Sequence, residues 1–111
     1  MTVNVLAIFH ALPEHRDELK RRLEVMAAAT HQEEGCLLYA LQEGVDDPNV
    51  LGFVERWESA EALARHQQAD HVRSGAAERT AMMSQPAVVI TTRNAVSTGS
   101  TGEVPGWPAG L

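Results

Sequence analysis

Residues 53–71 gather Glu55, Trp57, His66 and His71, so a carboxylate, an indole and two imidazoles surround a single strand-to-helix turn. Histidine titrates near neutrality and suits general acid/base work. Ser59 is a good helix N-cap, and Leu63 and His66 then fall one turn apart on the inward stripe. His66 is therefore either a pocket acid/base or a structural histidine bonded across the sheet. His71 opens the next helical segment, either tying it to the sheet or to Glu55, or reaching substrate. Glu55 and Trp57 share strand parity with Phe53 and Leu51. A carboxylate among apolar neighbours needs a partner, and Arg93 or a second subunit could supply it in an ion pair. Trp57 is core or dimer packing, or a wall for a substrate. Asn4 in an apolar first strand could orient a substrate oxygen or bond at a strand edge. Tyr39 could donate through its hydroxyl or fill the core.

The elements that hold these residues follow from hydrophobic periodicity. Residues 3–10 are β-rich and apolar on both parities. Pro13 suits the first turn of a helix, and Leu19, Leu23, Met26, Ala27 and Thr30 follow at helical spacing over residues 13–32, with Gly35 as a C-terminal cap. Residues 36–43 and 50–58 read as strands joined by a turn-rich link at 44–49. Residues 59–68 form a short helix. Asp70 caps a further helix through residue 83, with Val72, Ala76, Arg79 or Thr80, and Met83 on one stripe. Residues 87–93 are the last strand. The order β-α-β-β-α-β predicts a ferredoxin-like α+β domain over residues 1–94, with a four-stranded antiparallel sheet.

Helices cover one face of such a sheet, yet the other face is apolar here. Strand one offers Val3, Val5, Ala7 and Phe9 on one side, and Leu6 and Ile8 on the other. Strand two offers Leu37, Tyr39 and Leu41 against Cys36, Leu38 and Ala40. A second copy packed sheet to sheet is the simplest cover, which predicts a homodimer. Residues 95–111 are rich in Gly, Ser, Thr and Pro and read as a tail, or as an arm that lays Trp107 on the partner.

Among 111 residues, 15 are acidic and 9 basic, a net charge of −6. That balance disfavours nucleic acid or an anionic membrane as partner, and Lys20-Arg21-Arg22 reads as a solvated helix face. Cys36 is the single cysteine, so no internal disulfide or thiolate metal cage forms, and its apolar setting suggests an inert thiol. No secretory or membrane-spanning pattern is present, and a cytoplasmic location is expected. His66 and His71 are five positions apart, not the four that stacks two imidazoles, and no nearby carboxylate completes a set; no metal is expected. No Gly-rich dinucleotide fingerprint is present either.

Glu34-Gly-Cys-Leu-Leu-Tyr39, the acidic turn Asp46-Asp47-Pro48, Glu55-x-Trp57 and Ala62-Leu63-x-x-His66-x(4)-His71 together resemble the antibiotic biosynthesis monooxygenase family across residues 3–93. The resemblance implies a dimeric α+β barrel with a pocket between sheet and helices. In several members it implies oxidation of a quinol-like or polyphenolic substrate by O2 without metal, flavin or haem. His66 and His71 match the family's two histidines. The haem-degrading branch resembles this chain less, because a tryptophan stands there at the place of His66 and a histidine follows further along.

That chemistry suits these residues. Triplet O2 needs a one-electron donor, and a substrate phenolate or enolate can be that donor. The protein then supplies a base, donors for the anion, and a dry pocket. The expected function is cofactor-independent monooxygenation of a quinol-like or hydroxylated aromatic small molecule. His66 serves as base, and Asn4, Tyr39, Trp57, His71 and Glu55 surround the substrate. An isomerase or degradation enzyme working by proton shuttling on a small metabolite, or a non-enzymatic dimeric ligand binder, is the alternative.

Overall fold

In the first strand, β1 (Val3–His10), Val5, Ala7 and Phe9 are buried while Leu6 and Ile8 are exposed. Period-two alternation thus sorts the apolar residues of β1 into a helix-covered face and an open face. The computed structural model describes residues 1–95. β2 (Cys36–Glu43), β3 (Val50–Trp57) and β4 (Val88–Thr92) join β1 in one antiparallel sheet of order β2-β3-β1-β4. The helices are α1 (Arg16–Thr30), α2 (Ala60–Gln68), α3 (Asp70–Arg73) and α4 (Ala76–Ala81). The fold is the α+β, ferredoxin-like arrangement expected from the element order. Of the division expected at residue 94, the tail or arm of residues 95–111 lies outside the described residues from 96 onward.

The core lies between the sheet and the helices. Leu19, Leu23, Met26, Ala27 and Thr30 are the buried residues of α1, the stripe that helical spacing predicts. They meet Val5, Ala7, Phe9, Leu51, Phe53 and Trp57 from the sheet, with Ala62 and Leu63 from α2. Lys20 pairs with Glu43 at 2.7 Å, and Arg21 and Arg22 both bond Glu18. The basic run therefore is ion-paired on the outer side of α1.

Three features differ in substance from the sequence reading. Pro13 begins a 3-10 turn, Pro13–His15, and α1 starts only at Arg16. The helix expected from Asp70 to residue 83 is two short pieces, because Ser74 is extended (ψ 128°) and Gly75 is left-handed (φ 78°). Asp70 makes no side-chain cap there. Strand β2 carries a bulge: Cys36 faces Trp57 and Leu38 faces Arg56, so Leu37 is the extra residue. The bulge turns Cys36 to the helix-covered side with Tyr39, where plain alternation had put it with Leu38 and Ala40. Burial pushes the Cys36 thiol up to about 11, which keeps it protonated and inert.

On the open face, the register aligns Ala40, Val54, Leu6 and Ile90 in one apolar row across all four strands. Leu6, Ile8, Val88 and Ile90 are among the exposed large apolar residues. Position 52 of β3 requires glycine, because a β-carbon there would run into the carbonyl oxygen of Ala7.

Candidate functional site

The turn between α1 and β2 brings a residue that the sequence reading did not single out, Glu33, against α2 and α3. Gly35 makes this possible: its φ is +87°, and a β-carbon there would stand 2.6 Å from the Ala62 β-carbon. Glu58 N–H donates to Gly35 O at 2.8 Å, pinning the turn to the entrance of α2. Ser59 starts that helix by accepting from Ala62 N–H. A Gly35→Ala variant is expected to lose at least ~1 kcal/mol from left-handed backbone strain, with further loss from the Ala62 contact. Urea unfolding checks this, and a loosened turn should also release Glu33.

Glu33 Oε2 lies 2.6 Å from His66 Nδ1 and 2.9 Å from His71 Nε2. An ionised carboxylate can only accept, so each of those nitrogens carries its hydrogen. In its neutral form His66 then has Nδ1–H toward Glu33 and a lone pair on Nε2. The His66 side chain is 6% exposed, against 16% for Glu33 and 26% for His71. Its ring stacks at 4.5 Å on Trp57 and meets Tyr39 edge-on at 5.2 Å. Packing on two aromatic rings and one strong hydrogen bond therefore hold the imidazole in place.

Beside His66 is a cavity of about 280 Å³ between sheet and helices, with Tyr39, Glu55, His66, Gln67 and Arg79 as its polar lining and Val5, Phe9, Phe53 and Leu63 among its apolar walls. A largely apolar pocket with a few converging polar groups is the usual form of a small-molecule site. Burial, and then the charge of Glu55, push the Tyr39 phenol well above its ordinary range. Tyr39 is thus a protonated donor here, unsuited to act as a base. Burial lowers the Arg79 pKa, and its guanidinium donates to the carbonyls of Val72 and Ser74. It brings a positive charge to the cavity wall.

Glu55 is buried, and its partner is Trp57, whose Nε1–H donates to Oε1 at 2.9 Å. The expected ion pair with Arg93 is not formed among the described residues. Burial raises the Glu55 pKa, with the Trp57 hydrogen bond acting against it. A raised carboxyl pKa gives stability that is complete below the unfolded value, roughly 4.3. That stability is lost as pH rises through the folded value. Wild type should therefore lose stability relative to Glu55→Gln as pH climbs from about 4.3, a trend that urea unfolding at stepped pH would read.

The other sequence-derived candidates divide. Tyr39, Glu55 and His66 converge on the cavity. Trp57 is fully buried beneath His66 and Glu55 and acts as their support; it is not a cavity wall. His71 is bonded to Glu33, not to Glu55 or the sheet, and borders a neighbouring cleft with Arg21, Arg22 and Arg79. Asn4 belongs to the open-face parity of β1, donates to Asn94 at 3.1 Å, and lies apart from the cavity lining. Glu33 supplies the nearby carboxylate whose absence was assumed in discounting a metal. Two adjacent glutamates, 33 and 34, precede Gly35, and only the turn geometry separates the bonded Glu33 from the exposed Glu34.

Residues 2–78 match the model of a family described as "Antibiotic biosynthesis monooxygenase". A Mycobacterium tuberculosis protein, Rv0793, named provisionally as a monooxygenase, is 32% identical over 87 residues, covering 78% of this chain and 85% of that one. Its solved structure superposes with a TM-score of 0.79 at 30% identity, over 84% of this chain and 94% of that chain. The Bacillus subtilis protein YcnE, also provisionally named a monooxygenase, is 28% identical over 80 residues, 72% of this chain and 84% of its own length. The structure of PA3566 from Pseudomonas aeruginosa has a TM-score of 0.76 at 28% identity, covering 83% and 93%.

Proposed function

This chain belongs to the antibiotic biosynthesis monooxygenase family, and from that membership we propose that it is a cofactor-independent monooxygenase acting on a quinol-like or hydroxylated aromatic small molecule. The observation that carries the reading is the Glu33–His66 pair beside the cavity. His66 Nε2 takes a proton from the substrate, and Glu33 stabilises the imidazolium that forms. Tyr39 O–H and the charge of Arg79 steady the substrate anion. The anion passes one electron to O2, the resulting radicals combine into a carbon–oxygen bond, and the His66 imidazolium returns its proton to the peroxide anion to give a hydroperoxide. Loss of water from that hydroperoxide leaves the quinone. One O2 is consumed, with one oxygen atom in product and one in water.

Oxygen uptake by chelator-treated protein over a panel of quinols, anthrones and hydroxylated aromatics tests the reading. Uptake that survives chelation supports it, and uptake no faster than autoxidation for every compound overturns it. The same Glu33–His66 pair could instead move a proton within a small oxygenated metabolite without O2. Solvent-deuterium incorporation into such a compound, under anaerobic conditions, would favour that second reading.

The proposal includes a homodimer joined through the open sheet face and a cytoplasmic setting. The row Ala40–Val54–Leu6–Ile90 is the support for the dimer. Leu6→Glu with Ile90→Lys is expected to convert a dimer to monomer by light scattering, because charges replace buried apolar contacts. An unchanged mass for the double variant would remove this face as the interface. Among the described residues no helix is long and apolar enough to cross a membrane.

A further inference from the structure

We propose that Glu33, His66 and His71 form a binding site for a zinc-type divalent cation that competes with the hydrogens now shared among them. The donors come from three separate pieces of chain, the α1–β2 turn, α2 and α3, and their ligand atoms all lie within 4.8 Å of one another. Two imidazoles and one carboxylate are a donor set that suits zinc and other late divalent metals, with one position left for water. Glu55 lies close enough to interact electrostatically with both Glu33 and His66.

The present spacings of 2.6 and 2.9 Å are those of hydrogen bonds. Around an ion with ligands at about 2.0–2.1 Å, tetrahedral donors stand roughly 3.3 Å apart. Binding must therefore lengthen the two carboxylate–imidazole spacings by roughly 0.4–0.7 Å and draw the two imidazole nitrogens together from a separation within 4.8 Å. His66 is packed between Trp57 and Tyr39 and cannot move far. His71 sits on the four-residue helix α3, which ends at Arg73, followed by extended Ser74 and left-handed Gly75, and can supply the travel.

A neutral imidazole that binds metal through one nitrogen carries its hydrogen on the other. Metal on His66 Nδ1 thus places a hydrogen on Nε2. That nitrogen changes from a base into a donor, so the ion would silence the proposed turnover. This last consequence rests on the proposed function; the binding itself does not.

Calorimetry and visible spectroscopy of chelator-stripped full chain, titrated with Zn(II) or Co(II) alone, test the site. One ion per chain is expected, with a Co(II) band of tetrahedral type. Glu33→Gln and His71→Ala should each weaken binding at least tenfold, while His15→Ala, a histidine outside the cluster, should not. Absence of saturable binding, or wild-type affinity in both cluster variants, would overturn the site. A readout free of mutation is the imidazole ¹⁵N spectrum of wild type. Zn(II) should shift His66 Nδ1 and His71 Nε2, and unmoved signals at both would count against the proposal even if Zn(II) bound elsewhere. Neither readout depends on turnover, so a failed oxygenase assay leaves the metal result standing by itself.

Discussion

Replacing His66 by glutamine is expected to cut substrate-dependent O2 consumption by about 10²–10⁴-fold, the usual contribution of a positioned general base. Glutamine retains a polar chain that can still bond Glu33 and lie against Trp57, but it has no nitrogen that titrates near neutrality. The loss should fall on kcat, because the anion forms on the path to the reaction and not on binding. Glu33→Gln makes the contrast. It leaves His66 in place but removes the charge that holds its tautomer and stabilises the imidazolium. A smaller loss accompanied by a displaced pH profile would identify Glu33 as a positioning residue. Equal kcat for wild type and His66→Gln on any compound that wild type oxidises would end the assignment of His66.

The largest expected structural effect is at Trp57. It is fully buried, and Trp57→Ala should cost ~3–5 kcal/mol through lost packing and the cavity left behind. The indole also has a polar duty. Trp57→Phe keeps most of the packing but deprives the buried Glu55 carboxylate of its donor. A buried acceptor left unsatisfied costs about 1–3 kcal/mol. A double-mutant cycle with Glu55→Leu separates the two parts: the cost of Trp57→Phe should shrink when the carboxylate is already gone. Additive effects in that cycle would mean that the hydrogen bond contributes no net stability.

The sheet and its covering helix were legible because their signals are periodic and local. The residues Leu19, Leu23, Met26, Ala27 and Thr30 mark a helical stripe, and the buried residues of α1 are those. Glu55 and Trp57 were readable as inward-facing because period two admits no other choice once Phe53 is inside. What failed was set by single backbone positions. The bulge at Leu37 reverses the parity of Cys36, and Gly75 divides a stripe that looked continuous. Bulges and left-handed residues have no periodic signature. Within the site, His66 was visible as a polar residue on an apolar stripe. Glu33 was not, since a glutamate before a glycine is ordinary turn sequence. Its role depends on a contact reaching from residue 33 to residues 66 and 71, and only tertiary structure creates it.

The strand order carries a consequence for synthesis. β1 is made first, yet its two neighbours are β3 and β4, the latter paired as far along as Thr92. No hairpin with the next strand, β2, is available to β1, so its pairings close only after long stretches of chain have been added. Until then Val5 and Phe9 on one side and Leu6 and Ile8 on the other have no cover. A nascent chain therefore leaves this apolar segment uncovered until residues 50–57 and then 88–92 have followed it. The β1 amides that bond β3 should therefore gain hydrogen-exchange protection first, and those that bond β4 only when β4 has arrived.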